Sequence, residues 1–457
     1  MHFVGIGGIG MSGIAEILVA SGYEVSGSDL NETDTTRRLV SLGVEFSRGH
    51  AAGNIGEAGV VVISSAVKPD NPEVLAAKAG RIPVIPRAEM LAELARMKYS
   101  VLVAGAHGKT TTTSLVSTVL SHAGMDPTIV IGGKLVNLGT NARLGTGEYM
   151  VAEADESDGS FLKLLPTVAV VTNIDREHMD YYGTLDAVLA AFTDFLNKVP
   201  FYGKGIVCTD NEHVRGIMPQ VTKPCITYGF NEDAQYRAVD VKMRGASLSF
   251  TALRSGEPLG SFGVALVGRH NALNCLATVA VADELEVPMQ KVREALDAFR
   301  GIHRRFEVKG IVRGVTVVDD YGHHPSEIKA TLSGARENFK GRVVVAFQPH
   351  RYSRTSLLFD EFAGAFGDAD ELLVTDIYAA SEKPLEGVTA GRLCEAISAA
   401  SRTGARYVAG RDAVAGELKR IVRDGDIVIT LGAGDIWKSG MELLELLRTG
   451  GGGDDAR

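Results

Sequence analysis

Tyr99-Ser100-Val101-Leu102-Val103-Ala104-Gly105-Ala106-His107-Gly108-Lys109-Thr110-Thr111-Thr112-Thr113 runs from an apolar stretch through a glycine-bearing turn into a segment that reads as a helix from about Thr110 to His122. A strand, a glycine turn and a helix N-terminus aim backbone N–H groups at one point, where they favour phosphate. Lys109 adds a mobile positive charge for the outer phosphates, and the Thr110 hydroxyl suits the accompanying Mg²⁺. The loop is shorter than G-x-x-x-x-G-K-[ST], because Val103 stands at the position of the first glycine. An ordinary strand-to-helix turn containing lysine is the bland alternative. The Gly108-Lys109-Thr110 core in this setting favours a nucleoside triphosphate, ATP or GTP.

Working outward, the 457 residues exceed one core and predict two to four domains. The 45% hydrophobic and 23% charged content is that of a soluble globular protein. No apolar run reaches spanning length, and no basic region precedes an apolar one at the N-terminus, so membrane insertion and secretion are not expected. Four scattered cysteines, Cys208, Cys225, Cys275 and Cys394, show no pairing or metal-ligand spacing and suit a reducing cytoplasm. A net charge of −9 argues against nucleic-acid or anionic-membrane binding. Seven histidines, His107, His178, His270, His303, His323, His324 and His350, lie in or beside chemical motifs, which points to a site assembled from distant segments.

Three blocks follow one another. The first, 1–97, opens with a strand at His2-Phe3-Val4, then Gly5-Ile6-Gly7-Gly8-Ile9-Gly10-Met11-Ser12-Gly13, a helix through Ala20 and a strand from Tyr23 to Gly27 that leads into Ser28-Asp29. This is a dinucleotide-type βαβ pattern with an acidic residue placed for a ribose hydroxyl. The next strand, Val60–Ile63, is followed by Ser64. The block is small and reads as a nucleotide-recognising half-unit more than a complete NAD domain. The second block, 98–300, carries the phosphate loop among strands at Tyr149–Ala152, Thr167–Thr172, Gly205–Cys208 and Cys225–Tyr228 and a hairpin-like alternation over Arg244–Leu253. Helices are expected over Asn271–Glu284 and Met289–Phe299. The third block, 301–448, alternates strands (Val315–Val318, Val343–Phe347, Leu372–Thr375, Tyr407–Val408, Ile427–Leu431) with helices. The glycine-rich tail 449–457 has no packing residues and is expected to be disordered. The fold class is α/β in three domains: a Rossmann-like N-terminal domain, a central P-loop domain with a mostly parallel sheet, and a Rossmann-like C-terminal domain.

Further motifs sit after strands. Glu153-Ala154-Asp155-Glu156-Ser157-Asp158 offers carboxylates to Mg²⁺, with Glu153 favoured because it comes directly off its strand. Thr172-Asn173-Ile174-Asp175-Arg176-Glu177-His178 offers His178 as a ligand for a second metal, a helix-start histidine being the alternative. Gly268-Arg269-His270-Asn271-Ala272-Leu273-Asn274 opens a helix with amides suited to an adenine edge, although Asn271 also suits a cap. Of Arg304 and Arg305, one can stabilise charge on a transferring phosphoryl group. Asp319-Asp320-Tyr321-Gly322-His323-His324-Pro325 and Gln348-Pro349-His350-Arg351-Tyr352-Ser353-Arg354-Thr355 follow what are expected to be neighbouring strands, at the sheet edge where open α/β folds bind ligands.

These motifs, in this order, resemble the Mur ligases of peptidoglycan synthesis from Gly5 to about Trp437. The resemblance implies a cytoplasmic ATP-dependent ligase, monomeric or homodimeric, using Mg²⁺ (or Mn²⁺) to join UDP-N-acetylmuramate and L-alanine through an acyl phosphate. It implies UDP-sugar contacts at Gly5, Gly7, Gly8, Gly10, Met11, Ser12, Gly13, Asp29 and Ser64. It implies ATP contacts at Gly105, Ala106, His107, Gly108, Lys109, Thr110, Thr111, His270, Asn271, Asn274, Arg305 and Asp320, and metal ligation by Thr110, Glu153 and His178. Amino-acid contacts fall on Tyr321, His323, His350, Arg351 and Arg354, and the catalytic roles on Lys109, Arg305, His323, His324 and His350. The sequence departs from the family in two places. Ala106 replaces a small hydroxyl residue, and no lysine between Tyr181 and Asn197 is available for the carbamylated lysine of several relatives.

Overall fold

The computed structural model describes all residues except 65, 132–141, 381, 401–403 and 450–457, together with the side chains of Ile9 and Asp180. Apart from Thr449, the tail expected to be disordered lies outside the described residues. Three sheets organise the chain. The N-terminal sheet is parallel, in the order Glu45–Arg48, Ser26–Asp29, His2–Val4, Val61–Ile63, Val84–Pro86. The chain reverses its direction of travel across the sheet between the third and fourth of these positions, so the turn after His2–Val4 stands at a topological switch point.

The central sheet has ten strands, in the order Glu257–Val264, Ser247–Arg254, Tyr236–Arg244, Cys225–Gly229, Lys204–Cys208, Val168–Val171, Tyr99–Ala104, Tyr149–Glu153, Thr128–Val130, Ala142–Arg143. Tyr99–Ala104 pairs in parallel with Val168–Val171 on one side and Tyr149–Glu153 on the other. The phosphate loop therefore also leaves a switch point. Strands such as Val168-Ala169-Val170-Val171 are unbroken apolar runs because both faces are covered; all four residues are fully buried.

The C-terminal sheet has the order Glu307–Val312, Val315–Asp320, Ile427–Leu431, Val343–Phe347, Glu371–Thr375, Gly404–Val408. Only the first pair is antiparallel. This corrects one expectation. Val315–Asp320 and Val343–Phe347 are not neighbours: the late strand Ile427–Leu431 is inserted between them and pairs in parallel with both. Their loops still leave the same edge, now with a switch point between them.

By compactness the chain divides into two units. One comprises 1–240, 250–263 and 272–300; the other comprises 241–249, 264–271 and the chain from Gly301 onward. The first two blocks read from sequence thus share a unit, and the reason is a common core. One cluster of buried side chains runs from Phe3, Ile14 and Leu18 through Leu102, Ala142 and Met150 to Phe195 and Ile217. The second unit has its own core on each face of its sheet, one around Val345, Phe347, Phe362 and Ile429 and one around Val317, Val344, Leu418 and Leu443.

Several elements differ from expectation for local reasons. Arg244–Leu253 is not one strand: Gly245, at φ +58°, and Ala246 turn the chain between Tyr236–Arg244 and Ser247–Arg254. The strand read as Tyr23–Gly27 is Ser26–Asp29, because Gly22 at φ +87° ends the preceding helix and Tyr23 stays exposed at its end. Glu257–Val264 and Glu307–Val312 were not legible as strands. Both are edge strands carrying glycine and charge, and the second has a register shift between Val308 and Gly310. No described helix is long and apolar enough to cross a membrane.

Candidate active site

Three loop clusters carry the chemistry. In the first, Gly5 at φ +80° turns the chain out of its strand, and the Gly5 and Ile6 N–H groups donate to the Ser28 carbonyl at 2.8 and 3.0 Å. Gly7 N–H donates to Asp29 Oδ2 at 2.9 Å, and a Cβ on Gly7 would lie 2.9 Å from that same oxygen. Asp29, expected at a ribose, therefore also braces the glycine turn. Ser64 lies against the glycine turn: its hydroxyl would be 3.1 Å from a Cβ on Gly5. Gly8 precedes the helix Ile9–Ala20 and Gly10 lies in its first turn, whereas Met11 and Ser12 turn inward and are 1% exposed. The Met11 side chain belongs to the core, so a contact of Met11 with the nucleotide would fall to its backbone. Gly13 is buried in the same helix. Arg87 was not singled out in the sequence. A Cβ on Gly10 would fall 2.3 Å from its Nη1, so the guanidinium covers the helix N-terminus, where an anion is favoured. Pro86-Arg87-Ala88 gives no local signal of this, because the placement is tertiary.

The second cluster is the phosphate loop. Gly105 at φ +136° admits no side chain, because a Cβ would meet Thr172 Oγ1 at 2.1 Å. Gly108 at φ +84° is the N-cap of the helix Lys109–His122 and lies against Asn274 Oδ1, 2.7 Å from where its Cβ would be. The loop is held from beneath by the segment after Val168–Val171. Asn173 O accepts from Ala106 N–H at 3.2 Å, and Asn173 Oδ1 accepts from His107 N–H at 2.8 Å. The Asn173 amide and the Thr172 hydroxyl both donate to His107 O, at 2.9 and 2.6 Å. Ala106 and His107, expected as phosphate ligands, thus spend their N–H groups on the protein. The first-turn amides of Lys109, Thr110 and Thr111 are the ones without an intrahelical acceptor. The His107 ring lies 3.0 Å from Asp175 Oδ2. Asn274 was expected at a base edge; it is instead 6% exposed beside the loop, its Oδ1 accepting from Thr112 at 3.2 Å.

Lys109 Nζ donates to Gly105 O at 2.6 Å and to Glu156 Oε1 at 2.7 Å. Burial works against its charge, but Glu156, Glu177 and Asp155 outweigh burial and hold the ammonium well above the usual lysine range. The donor atoms of Glu156, Glu177 and His178 lie within 4.8 Å of one another. Sequence favoured Glu153, the last residue of its strand, but the carboxylate brought to Lys109 and His178 is Glu156, three residues later and buried. Among the described residues, Glu156 Oε2 is buried with no hydrogen-bond partner. An orphaned carboxylate oxygen beside a second carboxylate and an imidazole fits a divalent cation, and Thr110 lies in the first turn of the adjacent helix. His178 holds a left-handed backbone, φ +57°, of the kind that clusters at functional sites.

The third cluster belongs to the second unit. His323 Nδ1 is 3.0 Å from Tyr321 O, and the His323 ring lies 5.3 Å from the Tyr321 ring and 5.9 Å from that of His350. Arg354 Nη1 approaches His350 Nδ1 at 3.4 Å. The Arg351 side chain is exposed, and its left-handed backbone, φ +71°, leads into the helix Tyr352–Leu357. His324 carries a structural duty that the sequence did not show: its Nδ1 accepts from Ser326 N–H at 3.4 Å and caps the helix Pro325–Asn338. Asp320 is 6% exposed and accepts from Phe306 N–H and Gly322 N–H at 2.8 Å each, so its carboxylate braces its own loop. Arg304 is tied to Asp319 at 3.0 Å and to Gly432 O at 2.6 Å, while Arg305 reaches Glu327 at 3.3 Å; both guanidinium groups lie over Tyr321. His270 packs its ring on Gly268, and the Asn271 amide donates to Val267 O at 2.7 Å. Tyr378 was missed altogether. Its ring stacks on His350 at 5.5 Å and 9°, and a Cβ on Gly434 would collide with it.

Burial, with Arg354 and other cations reinforcing it, pushes His323 down to about 3 and His350 down to about 4, against the weaker opposition of Glu327 and Glu382 respectively. Both imidazoles are neutral at pH 7. Because these values lie below that of an unfolded histidine, about 6.5, the unfolded chain takes up protons first on acidification. Their contribution to stability is complete above about pH 6.5 and falls as pH drops toward about 4. Thermal unfolding followed from pH 7.5 to 4.5 should show a falling Tm, and a His323→Asn/His350→Asn double variant should show a shallower slope.

Comparison with known proteins agrees with this geometry. Three family descriptions match in succession: Mur ligase family, catalytic domain, over residues 1–99; Mur ligase middle domain, over 103–282; and Mur ligase, glutamate ligase domain, over 304–434. The UDP-N-acetylmuramate–L-alanine ligase of Anaeromyxobacter dehalogenans (strain 2CP-C) is 59% identical over 447 residues, covering 98% of this chain and 97% of its own. Among solved structures, the UDP-N-acetylmuramate–alanine ligase of Thermotoga maritima superposes with a TM-score of 0.82 at 30% identity, over 98% of this chain and 99% of its own. A murein peptide ligase from Psychrobacter arcticus 273-4 gives 0.71 at 25% identity, over 98% of each chain. With its three blocks matched in order and its phosphate loop, acidic cluster and histidine loops in place, the chain belongs to the Mur ligase family.

Proposed function

We propose that the protein joins L-alanine to the lactyl carboxylate of UDP-N-acetylmuramate at the expense of ATP. The observation that carries this reading is the pairing of a Gly-Lys-Thr phosphate loop, its Lys109 ion-paired to Glu156, with a separate sheet edge that gathers Tyr321, His323, His350 and Arg354. The near-full-length relative bearing that activity in its name supports it.

The muramoyl carboxylate attacks the γ-phosphorus of ATP, and ADP leaves. The amine of L-alanine then attacks the resulting acyl phosphate, and inorganic phosphate departs from the tetrahedral intermediate. The first-turn amides of Lys109–Thr111 and the Lys109 ammonium offset charge on the phosphoryl group, with Arg305 as a further cation. Thr110, Glu156, Glu177 and His178 would hold Mg²⁺ or Mn²⁺, which supplies charge neutralisation at the phosphates when bound. The N-terminal glycine turn, with Asp29, Ser64 and Arg87, takes the UDP moiety. Arg354 suits the alanine carboxylate. His323, neutral at pH 7, accepts the amine proton, while Tyr378 and His350 wall the pocket.

Arg354→Ala should raise the KM for L-alanine by about 10²-fold, the worth of a charge-assisted contact, and leave the KM for ATP within about twofold. Steady-state kinetics with each substrate varied in turn checks this. Equal losses for ATP and alanine would move Arg354 to phosphate chemistry.

A further inference from the structure

Beneath the N-terminal glycine turn lies a buried polar network that none of the steps above uses. Glu73, in the first turn of the helix Pro72–Ala79, is fully buried, as are His2 and Ser28. Its Oε2 accepts from the Ser28 hydroxyl at 2.6 Å and lies 3.0 Å from His50 Nδ1. Its Oε1 accepts from the Asn54 amide at 2.6 Å and lies 3.7 Å from His2 Nε2. Burial opposes the charge, yet His2, Ser28 and Asn54 outweigh it and hold the carboxyl down to about 2. The helix N-terminus adds in the same direction.

An ionised buried carboxylate is costly unless every lone pair is used. Here its partners are the residues that shape the nucleotide turn. Ser28, locked through its hydroxyl, offers its carbonyl to Gly5 and Ile6 N–H. Asn54 ties Glu73 to Gly49 O, and Gly49 N–H donates to the Asp29 carbonyl at 2.7 Å. Asp29 in turn holds Gly7 N–H. The N–H groups of Gly5, Ile6 and Gly7 thus donate to Ser28 or Asp29, and both of these are tied to the Glu73 network. The Ser28 hydroxyl cannot act as a nucleophile despite its histidine and carboxylate partners, because it is wholly buried.

We propose that Glu73 is a positioning residue for UDP-sugar binding, acting through Ser28 and Asp29 on the amides of the glycine turn. The inference rests on the reading of the N-terminal sheet as the UDP-sugar domain. Its test is kinetic and calorimetric on the full-length protein. Glu73→Gln keeps shape but gives the Ser28 hydroxyl an amide nitrogen in place of an anion. Ser28→Ala removes that link, together with the 3.0 Å contact of the Ser28 hydroxyl to His50 Nδ1, and leaves Glu73 its other partners, so it serves if the first variant does not fold.

Each variant should raise the KM and Kd for UDP-N-acetylmuramate by about 10-fold, the loss expected for a hydrogen bond to a charged group. Its KM values for ATP and L-alanine and its kcat should stay within about twofold. The double variant should be no worse than the poorer single one, since both act through one bond. A lowered Tm with an unchanged UDP-sugar KM would overturn the proposal and leave Glu73 a purely structural group. A parallel rise in all three KM values, or additive losses, would also overturn it. Wild-type protein that fails to bind UDP-N-acetylmuramate would instead refute the assignment of the domain.

Discussion

Lys109→Ala is expected to lower turnover by about 10³-fold, a loss of about 4 kcal/mol of transition-state stabilisation. The effect should fall on kcat, with the KM for L-alanine unchanged, because the ammonium meets charge that develops only on the transferring phosphoryl group. The substitution also strands Glu156, whose side chain is only 3% exposed. Breaking a buried pair from one side costs about 3–5 kcal/mol, so Tm should drop as well. The two effects separate in a Lys109→Ala/Glu156→Gln variant, which removes both charges: it should recover most of the Tm and none of the turnover. Single-variant turnover within a few-fold of wild type would remove Lys109 from the chemistry.

Glu156→Gln should raise the Mg²⁺ concentration for half-maximal activity by about 10-fold or more, because a neutral amide replaces an anionic oxygen ligand. Glu153→Gln should shift it far less. A direct readout is the Mn²⁺-dependent rise in Tm in the presence of ATP, which Glu156→Gln should abolish and Glu153→Gln should retain. The reverse ranking would restore Glu153 as the ligand.

The exchange of Glu153 for Glu156 marks what a sequence conveys and what it withholds. The strand, turn and helix around Gly105–Thr113 were legible because apolar period, glycine and the Gly-Lys-Thr core are local signals. Which of four acidic residues in Glu153–Asp158 turns toward Lys109 depends on how the chain leaves its strand, and that is set by packing against Tyr182, whose hydroxyl donates to Glu156 O at 2.7 Å. Asn173 was quoted in a motif but given no role, since its duty, cradling Ala106 and His107, appears only when two strands lie side by side. Arg87 and Tyr378 are further cases: each meets its partner across the fold, and neither lies in a patterned motif. The paired histidines before Pro325 look equally chemical, and only the fold shows that the Nδ1 of the second also caps a helix. The C-terminal strand order was likewise hidden, because Ile427–Leu431 enters between strands made more than seventy residues earlier.

The most direct measurement of the ligase assignment is release of inorganic phosphate coupled to mass detection of the nucleotide-sugar product. It requires the wild-type protein, UDP-N-acetylmuramate, ATP, Mg²⁺ and a panel of amino acids and short peptides beginning with L-alanine. Phosphate should appear only when all components are present, L-alanine should be the preferred acceptor, and the product should carry one alanine residue in amide linkage. Release driven by the peptides and not by free L-alanine, or release independent of any acceptor, would contradict it.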